Sequence, residues 1–245
     1  MQERKRKALP QATIIERKEI TSDLWIMWLK PDQQFKFKPG QYCTIGSGGV
    51  ERAYSIASAP HEENLELFVE LVPLEEGGVL TPLLYELFKG ERVTIRPTSK
   101  GVFTFSPKFK NHIMVATVTG IAPYISIIRD FIQNGTDDYK FYILYGASYV
   151  DELTYDSELY EIAEKHNNSI KFIPTISRPH DPRNINWTGE NGRVNSIVEK
   201  YIGEFGLKND NSTIYVCGHP GMIESVKEEF QPQGFSVLEE RFWKE

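Results

Sequence analysis

The feature that most constrains this chain is a change of rhythm near Ser106. Before it, short apolar and β-branched runs are cut by Pro39-Gly40, the glycine-rich stretch 46–49, Gly77-Gly78 and Gly90. The runs are residues 12–20, 24–29, 41–45, 53–57, 65–71 and 92–96. Short strands with frequent turns predict a small antiparallel β-barrel. One helix interrupts it, over 81–88, with Thr81 as N-cap. After Ser106, strands at 112–118, 141–145, 170–176, 214–217 and 235–238 alternate with helices at 121–133, 156–166, 194–201 and 220–230. That alternation predicts a doubly wound parallel α/β sheet. The expected organisation is two domains, 1–106 an antiparallel β-barrel and 107–245 an α/β sheet.

Composition narrows the function classes. A chain of 245 residues that is 40% hydrophobic can bury its cores without disulfides. A net charge of -6 argues against a nucleic-acid partner. Cys43 and Cys217 are too few for a four-thiolate iron–sulfur cluster or a disulfide framework, so no metal centre is expected. They fit a reducing compartment. No 18-residue apolar run is present, and the charged N-terminus lacks an apolar signal region. The expectation is a cytoplasmic monomer without a membrane span. The run Arg4-Lys5-Arg6-Lys7 reads either as a solvated tail or as a contact for anionic lipid or an acidic partner.

Five segments and the C-terminus carry chemistry. In Arg52-Ala53-Tyr54-Ser55 on a strand, alternation puts Arg52 and Tyr54 on one face and Ala53 and Ser55 on the other. This is either a surface Arg–Tyr pair or a site for a ligand with a phosphate and a flat ring. Gly77-Gly78-Val79-Leu80-Thr81 leads two glycines into a helix start, which is either a plain turn or a seat for a pyrophosphate. Thr117-Val118-Thr119-Gly120 joins a strand to a helix, where open α/β sheets hold dinucleotides. Val118 disfavours a positive φ. Cys217-Gly218-His219-Pro220 ends another strand, and a cysteine there ordinarily acts as a small hydrophobe. Arg178 and Arg193 can pair with carboxylates or fork onto a phosphate. At the C-terminus, Glu240-Arg241-Phe242-Trp243 can pack as a docking tail.

In their order and spacing, these motifs resemble the ferredoxin–NADP reductase superfamily, in particular its bacterial type. The likeness runs from about Ala8 to Trp243. It implies an FAD-binding barrel over 1–106 and an NAD(P)-binding α/β domain over 107–245. Arg52, Ala53, Tyr54 and Ser55, with Gly77, Gly78, Val79, Leu80 and Thr81, would hold FAD. Thr117, Thr119 and Gly120 would meet NADP(H), with Arg178 and Arg193 on its 2′-phosphate. Val118 stands where the family usually has glycine, and Ser148 lies where bacterial members often have another arginine. Arg178 and Arg193 make NADP the preferred nucleotide, and the departures at Val118 and Ser148 leave NAD open. Ser55, Cys217 and Glu240 would surround the point of hydride transfer, with Phe242 or Trp243 stacked on the flavin. The implied activity is electron transfer between NADP(H) and ferredoxin or flavodoxin through FAD. The alternatives are a reductase component of an oxygenase or other multicomponent system, or a flavin-binding electron-transfer subunit with weak nucleotide turnover.

Overall fold

The computed structural model describes residues 8–136 and 138–241. Arg4–Lys7, Phe242 and Trp243 lie outside them. Strands β1 (Gln11–Glu19), β2 (Leu24–Pro31), β3 (Tyr42–Ser47), β4 (Val50–Ser55), β5 (Leu65–Glu70) and β6 (Arg92–Ile95) pair antiparallel in the order β4-β3-β6-β1-β2-β5. A bridge from Ile56 to Leu67 brings the two edges together and closes the barrel. Period-2 patterning explains the closure. Leu65, Leu67 and Val69 alternate inward and bury with Ile14, Trp25, Met27 and Ile45.

The second sheet is parallel. It contains β7 (Asn111–Thr117), β8 (Lys140–Ala147), β9 (Ile170–Ile176), β10 (Glu190–Asn191), β11 (Ser212–Cys217) and β12 (Ser236–Glu240), in the order β10-β9-β8-β7-β11-β12. Helices α2 (Ala122–Asn134) and α3 (Asp156–Lys165) cover one face; α4 (Val198–Glu204) and α5 (Pro220–Phe230) cover the other. Alternation divides the central strands between two cores. Met114, Ala116, Tyr215 and Cys217 bury on the α2 side, and Ile113, Val115, Ile214 and Val216 on the α5 side. Strand order reverses between β7 and β11, so the crevice for a ligand opens at the ends of those two strands.

Local corrections have physical causes. The expected helix 81–88 is the single-turn α1 (Thr81–Tyr85), and Leu80 rather than Thr81 is its N-cap. Thr81 Oγ1 instead accepts from Val72 N–H and donates to Val72 C=O, clamping the turn. The expected helix 194–201 begins as a 3-10 turn, Val194–Ile197, and becomes α-helical only at Val198. β7 stops at Thr117, one residue before the expected end, because Val118 turns the backbone left-handed. β10, two residues long, carries no periodic signal and exists only by pairing with β9. Among the described residues no helix is long and apolar enough to cross a membrane.

Candidate functional site

Two clefts of similar size meet at the junction of the sheets. One, of about 710 Å³, lies on the barrel and is lined by Arg52, Ala53, Tyr54, Ser55, Gly77–Thr81 and Glu240. The other, of about 750 Å³, lies at the switch point and is lined by Thr117, Val118, Thr119, Arg178, Arg193 and His219. Glu70 and Thr119 belong to both walls.

In the barrel cleft all four residues of the Arg52–Ser55 strand reach the same space, which alternation alone did not predict. β4 is an edge strand, so its outer backbone edge as well as its faces border the cleft. Arg52 and Ala53 are exposed, Tyr54 is half-buried and Ser55 is buried. Burial pushes the Tyr54 phenol well up, so it stays neutral. Arg52 donates only to the Glu51 carbonyl, at 2.8 Å, leaving most of its fork for a ligand. Gly77 and Gly78 do not offer free N–H groups as the motif suggested, because they donate to Leu74 and Pro73 carbonyls at 3.1 and 2.9 Å. Their role is shape. Gly77 turns at φ +87°, and a Cβ on Gly78 would lie 1.7 Å from the Val72 carbonyl oxygen. The open donors are the N–H groups of Val79 and Leu80, which meet no acceptor among the described residues.

Two buried polar atoms at this cleft have no partner among the described residues: Ser55 Oγ and Glu240 Oε2. Such atoms are costly unless a ligand satisfies them. Burial pushes the Glu240 carboxyl up to about 7. Glu240 pairs in register with Cys217 across β11 and β12. Cys217 itself is fully buried and lines neither cleft. Burial, followed by the Glu240 charge, pushes its thiol well up, so it is no thiolate nucleophile.

At the second cleft, Val118 takes φ +42°, contrary to the resistance expected of a valine. Neighbours hold it there. Thr117 Oγ1 accepts from His219 N–H at 2.7 Å. Gly120 lines neither cleft; it packs behind the loop, where a Cβ would lie 2.2 Å from the Cys217 carbonyl oxygen. His219 caps α5 by accepting from Gly221 N–H at its Nδ1, 3.1 Å away. Arg178 leans on Tyr149, donating to its hydroxyl, while the Arg183 guanidinium stacks 3.7 Å from the same ring and pairs with Asp151 at 2.7 Å. Neither Arg178 nor Arg193 is in an ion pair among the described residues, so both cations face the cleft uncompensated.

Known proteins resemble this chain in sequence and in fold. Residues 114–228 match the family model of the oxidoreductase NAD-binding domain. The flavodoxin/ferredoxin–NADP reductase of Buchnera aphidicola subsp. Baizongia pistaciae is 31% identical over 201 residues, 78% of each chain. This chain belongs to the ferredoxin–NADP reductase superfamily. As a member it is an oxidoreductase with the superfamily's two-domain fold. The phenol hydroxylase P5 protein of Acinetobacter pittii is 32% identical over 220 residues, which is 88% of this chain and 60% of that longer one. A ferredoxin NADP+ reductase from Neisseria gonorrhoeae, solved with bound FAD and NADP, superposes with a TM-score of 0.80 at 22% identity, over 97% of this chain and 100% of that one.

Within this reductase frame, sequence reading missed Glu70, Tyr149 and Asn195, which stand at or beside the clefts. For Glu70 a signal existed. Glu66, Phe68 and Glu70 alternate with the barrel-facing Leu65, Leu67 and Val69, so they share the face turned to the second sheet. Tyr149 had no motif, and only the fold brings it under Arg178 and Arg183.

Proposed function

We propose that the protein carries FAD in the barrel cleft, takes NADP(H) in the switch-point cleft, and passes electrons to or from ferredoxin or flavodoxin. The observation that carries this reading is the shared wall: the two clefts meet along Glu70 and Thr119, so a bound FAD and a bound nucleotide would lie against each other across it. When bound, FAD supplies a ring that takes two electrons as hydride and releases them singly.

The residues present fit that group. Arg52 and the free N–H groups of Val79 and Leu80 suit its diphosphate. Tyr54 offers a neutral aromatic face beside them. Ser55 Oγ and Glu240 Oε2 supply the buried polar atoms that the ring's heteroatoms would satisfy. With its pKa near 7, Glu240 can hold or release a proton at its carboxyl oxygen under neutral conditions. Phe242 and Trp243 are proposed as stacking partners and lie outside the described residues. Thr117, Thr119, Arg178 and Arg193 line the nucleotide cleft, and the two guanidinium groups would fork onto a 2′-phosphate, which favours NADP over NAD. Cys217 stays neutral and buried behind the cleft wall, next in the chain to Gly218, which borders the nucleotide cleft. We assign the first role to residues 1–106 and the second to 107–245, acting as a cytoplasmic monomer.

The test is anaerobic titration of the purified protein. It should be yellow or bind added FAD, and NADPH should bleach the flavin band more readily than NADH. Arg178→Ala should lower the NADPH-to-NADH ratio of kcat/KM about tenfold or more. A protein that neither carries nor binds FAD would sink the reading, and an unchanged ratio would sink the NADP assignment. The similarity to the phenol hydroxylase P5 protein favours a second reading, a reductase component serving an oxygenase. Stopped-flow reduction of candidate acceptors separates the two. The third reading, a flavin-binding subunit with weak nucleotide turnover, draws on Val118 and predicts no oxidation of either nucleotide.

A further inference from the structure

Glu70 ends β5 and is the only ionisable residue lining both clefts among the described residues. Its neighbours on the same strand face are committed. The Glu66 carboxylate takes Arg129 at 2.7 Å, and Phe68 packs edge-on against Tyr155 at 5.6 Å between centroids. Glu70 has no such partner. The residue is exposed on the cleft wall, and the charged neighbours that raise its pKa are carboxylates: Asp23, Glu152 and Glu76. Desolvation, first, and these three acids push its pKa up to about 7. Arg178 and Arg193 line the nucleotide cleft and Arg52 and Arg241 the flavin cleft, but none of them pairs with Glu70 among the described residues. Arg241 is itself engaged by Glu224 and Glu239.

The shared wall therefore presents an ionisable carboxyl, acceptor-only when charged, to ligands whose middle is a diphosphate. We propose that Glu70 opposes the diphosphate of the nicotinamide dinucleotide and so sets how tightly, and for how long, the nucleotide is held. This rests on the nucleotide half of the proposed function. Attraction acts at the adenosine end, through Arg178 and Arg193, and Glu70, on the wall of the same cleft, weakens the hold at the diphosphate. Most of that weakening should appear in the dissociation rate. Glu70 thus sets how tightly the nucleotide is held and is not a catalytic residue.

The test uses the FAD-loaded protein titrated with NADP+ and, separately, with adenosine 2′-monophosphate, which lacks the diphosphate. Glu70→Gln keeps the side-chain shape and removes the charge. It should tighten NADP+ binding about tenfold at low ionic strength and above pH 8. The gain should shrink at high salt, as a screened charge effect must. Adenosine 2′-monophosphate should bind both proteins equally, and Glu70→Lys should tighten NADP+ further. If Glu70→Gln leaves NADP+ binding unchanged or weakens it, the inference is overturned while the functional reading stands. Equal tightening for both ligands would also overturn it, as a general rearrangement of the cleft. If neither the natural protein nor the variants bind NADP+, the inference falls together with the nucleotide assignment.

Discussion

Val118 is the one non-glycine residue with a positive φ, +42°, among the described residues. The left-handed region costs an L-residue roughly 1–2 kcal/mol, and a β-branched side chain fits it poorly. The conformation persists because both sides of the turn are fixed. Thr117 is tied to His219 N–H, and Gly120 is wedged against the Cys217 carbonyl. Val118→Gly should relieve the strain, offset in part by the greater freedom of glycine in the unfolded chain. The expected net gain is about 1 kcal/mol, read as a higher urea midpoint with an unchanged slope. A lower midpoint would mean that the packing of Val118 against the α2-side core outweighs the strain.

At the scale of the element, β7 carries an ionisable residue where the sheet is driest. His112 is fully buried between Phe105 and Phe141, at centroid distances of 4.8 and 5.0 Å. Neither ring nitrogen has a partner of hydrogen-bonding geometry, although the Phe109 backbone lies close enough to soften the shift. Burial drops its pKa from 6.5 to about 4. The folded protein therefore keeps the ring neutral while the unfolded chain takes up a proton below pH 6.5. The resulting contribution is fully present above about pH 6.5 and is lost as the pH falls to about 4, amounting to about 3 kcal/mol. Glu70 and Glu240 act oppositely, since their raised pKa values favour the folded state at low pH and that support fades as the pH rises toward 7. Comparing His112→Phe with the natural protein by urea unfolding isolates the imidazole. The stability difference should change by about 3 kcal/mol across this window, in favour of the variant on the acid side. A pH-independent difference would show that His112 is protonated, or solvated, in the fold.

For the whole molecule, the spacing of the clefts depends on how the two sheets are joined. The α2-side core includes Leu24, Ile26, Phe68 and Phe103 from the barrel segment, so one apolar body spans both. Phe103 lies 5.7 Å from Tyr124 and 5.4 Å from Tyr215. Ser126 Oγ donates to the Ser58 carbonyl at 2.7 Å. Arg129 of α2 reaches Glu66 of β5 and Glu158 of α3, each at 2.7 Å, while the Tyr155 hydroxyl donates to Glu66 at 2.7 Å. Removing the cation leaves the Glu66 carboxylate, only 4% exposed, with neutral donors alone. Arg129→Met should cost about 3–5 kcal/mol in urea unfolding. Adding Glu66→Gln should recover part of that loss, because the stranded charge is then gone. A loss below about 1 kcal/mol would place this cluster with ordinary surface ion pairs.

Order and periodicity along the chain were enough for the two architectures, since burial on one face of a strand or helix imposes a repeat that can be read locally. The Arg52–Ser55 and Gly77–Thr81 segments could be recognised because each is a contiguous motif, but their placement on one site rested on the resemblance to the reductase superfamily. What could not be read was anything created by approach between distant segments. The free N–H groups moved from Gly77 and Gly78 to Val79 and Leu80 because the preceding turn closes on itself. Val118 adopts a conformation its own side chain opposes because Thr117, Gly120 and the Cys217–His219 turn hold it. Cys217, in a motif beside the site, ends beneath it, while Glu70, in no motif, ends on the wall shared by both clefts. Local preferences are worth a kcal/mol or so per residue, and the packing of two cores against each other is worth far more, so the junction follows the packing.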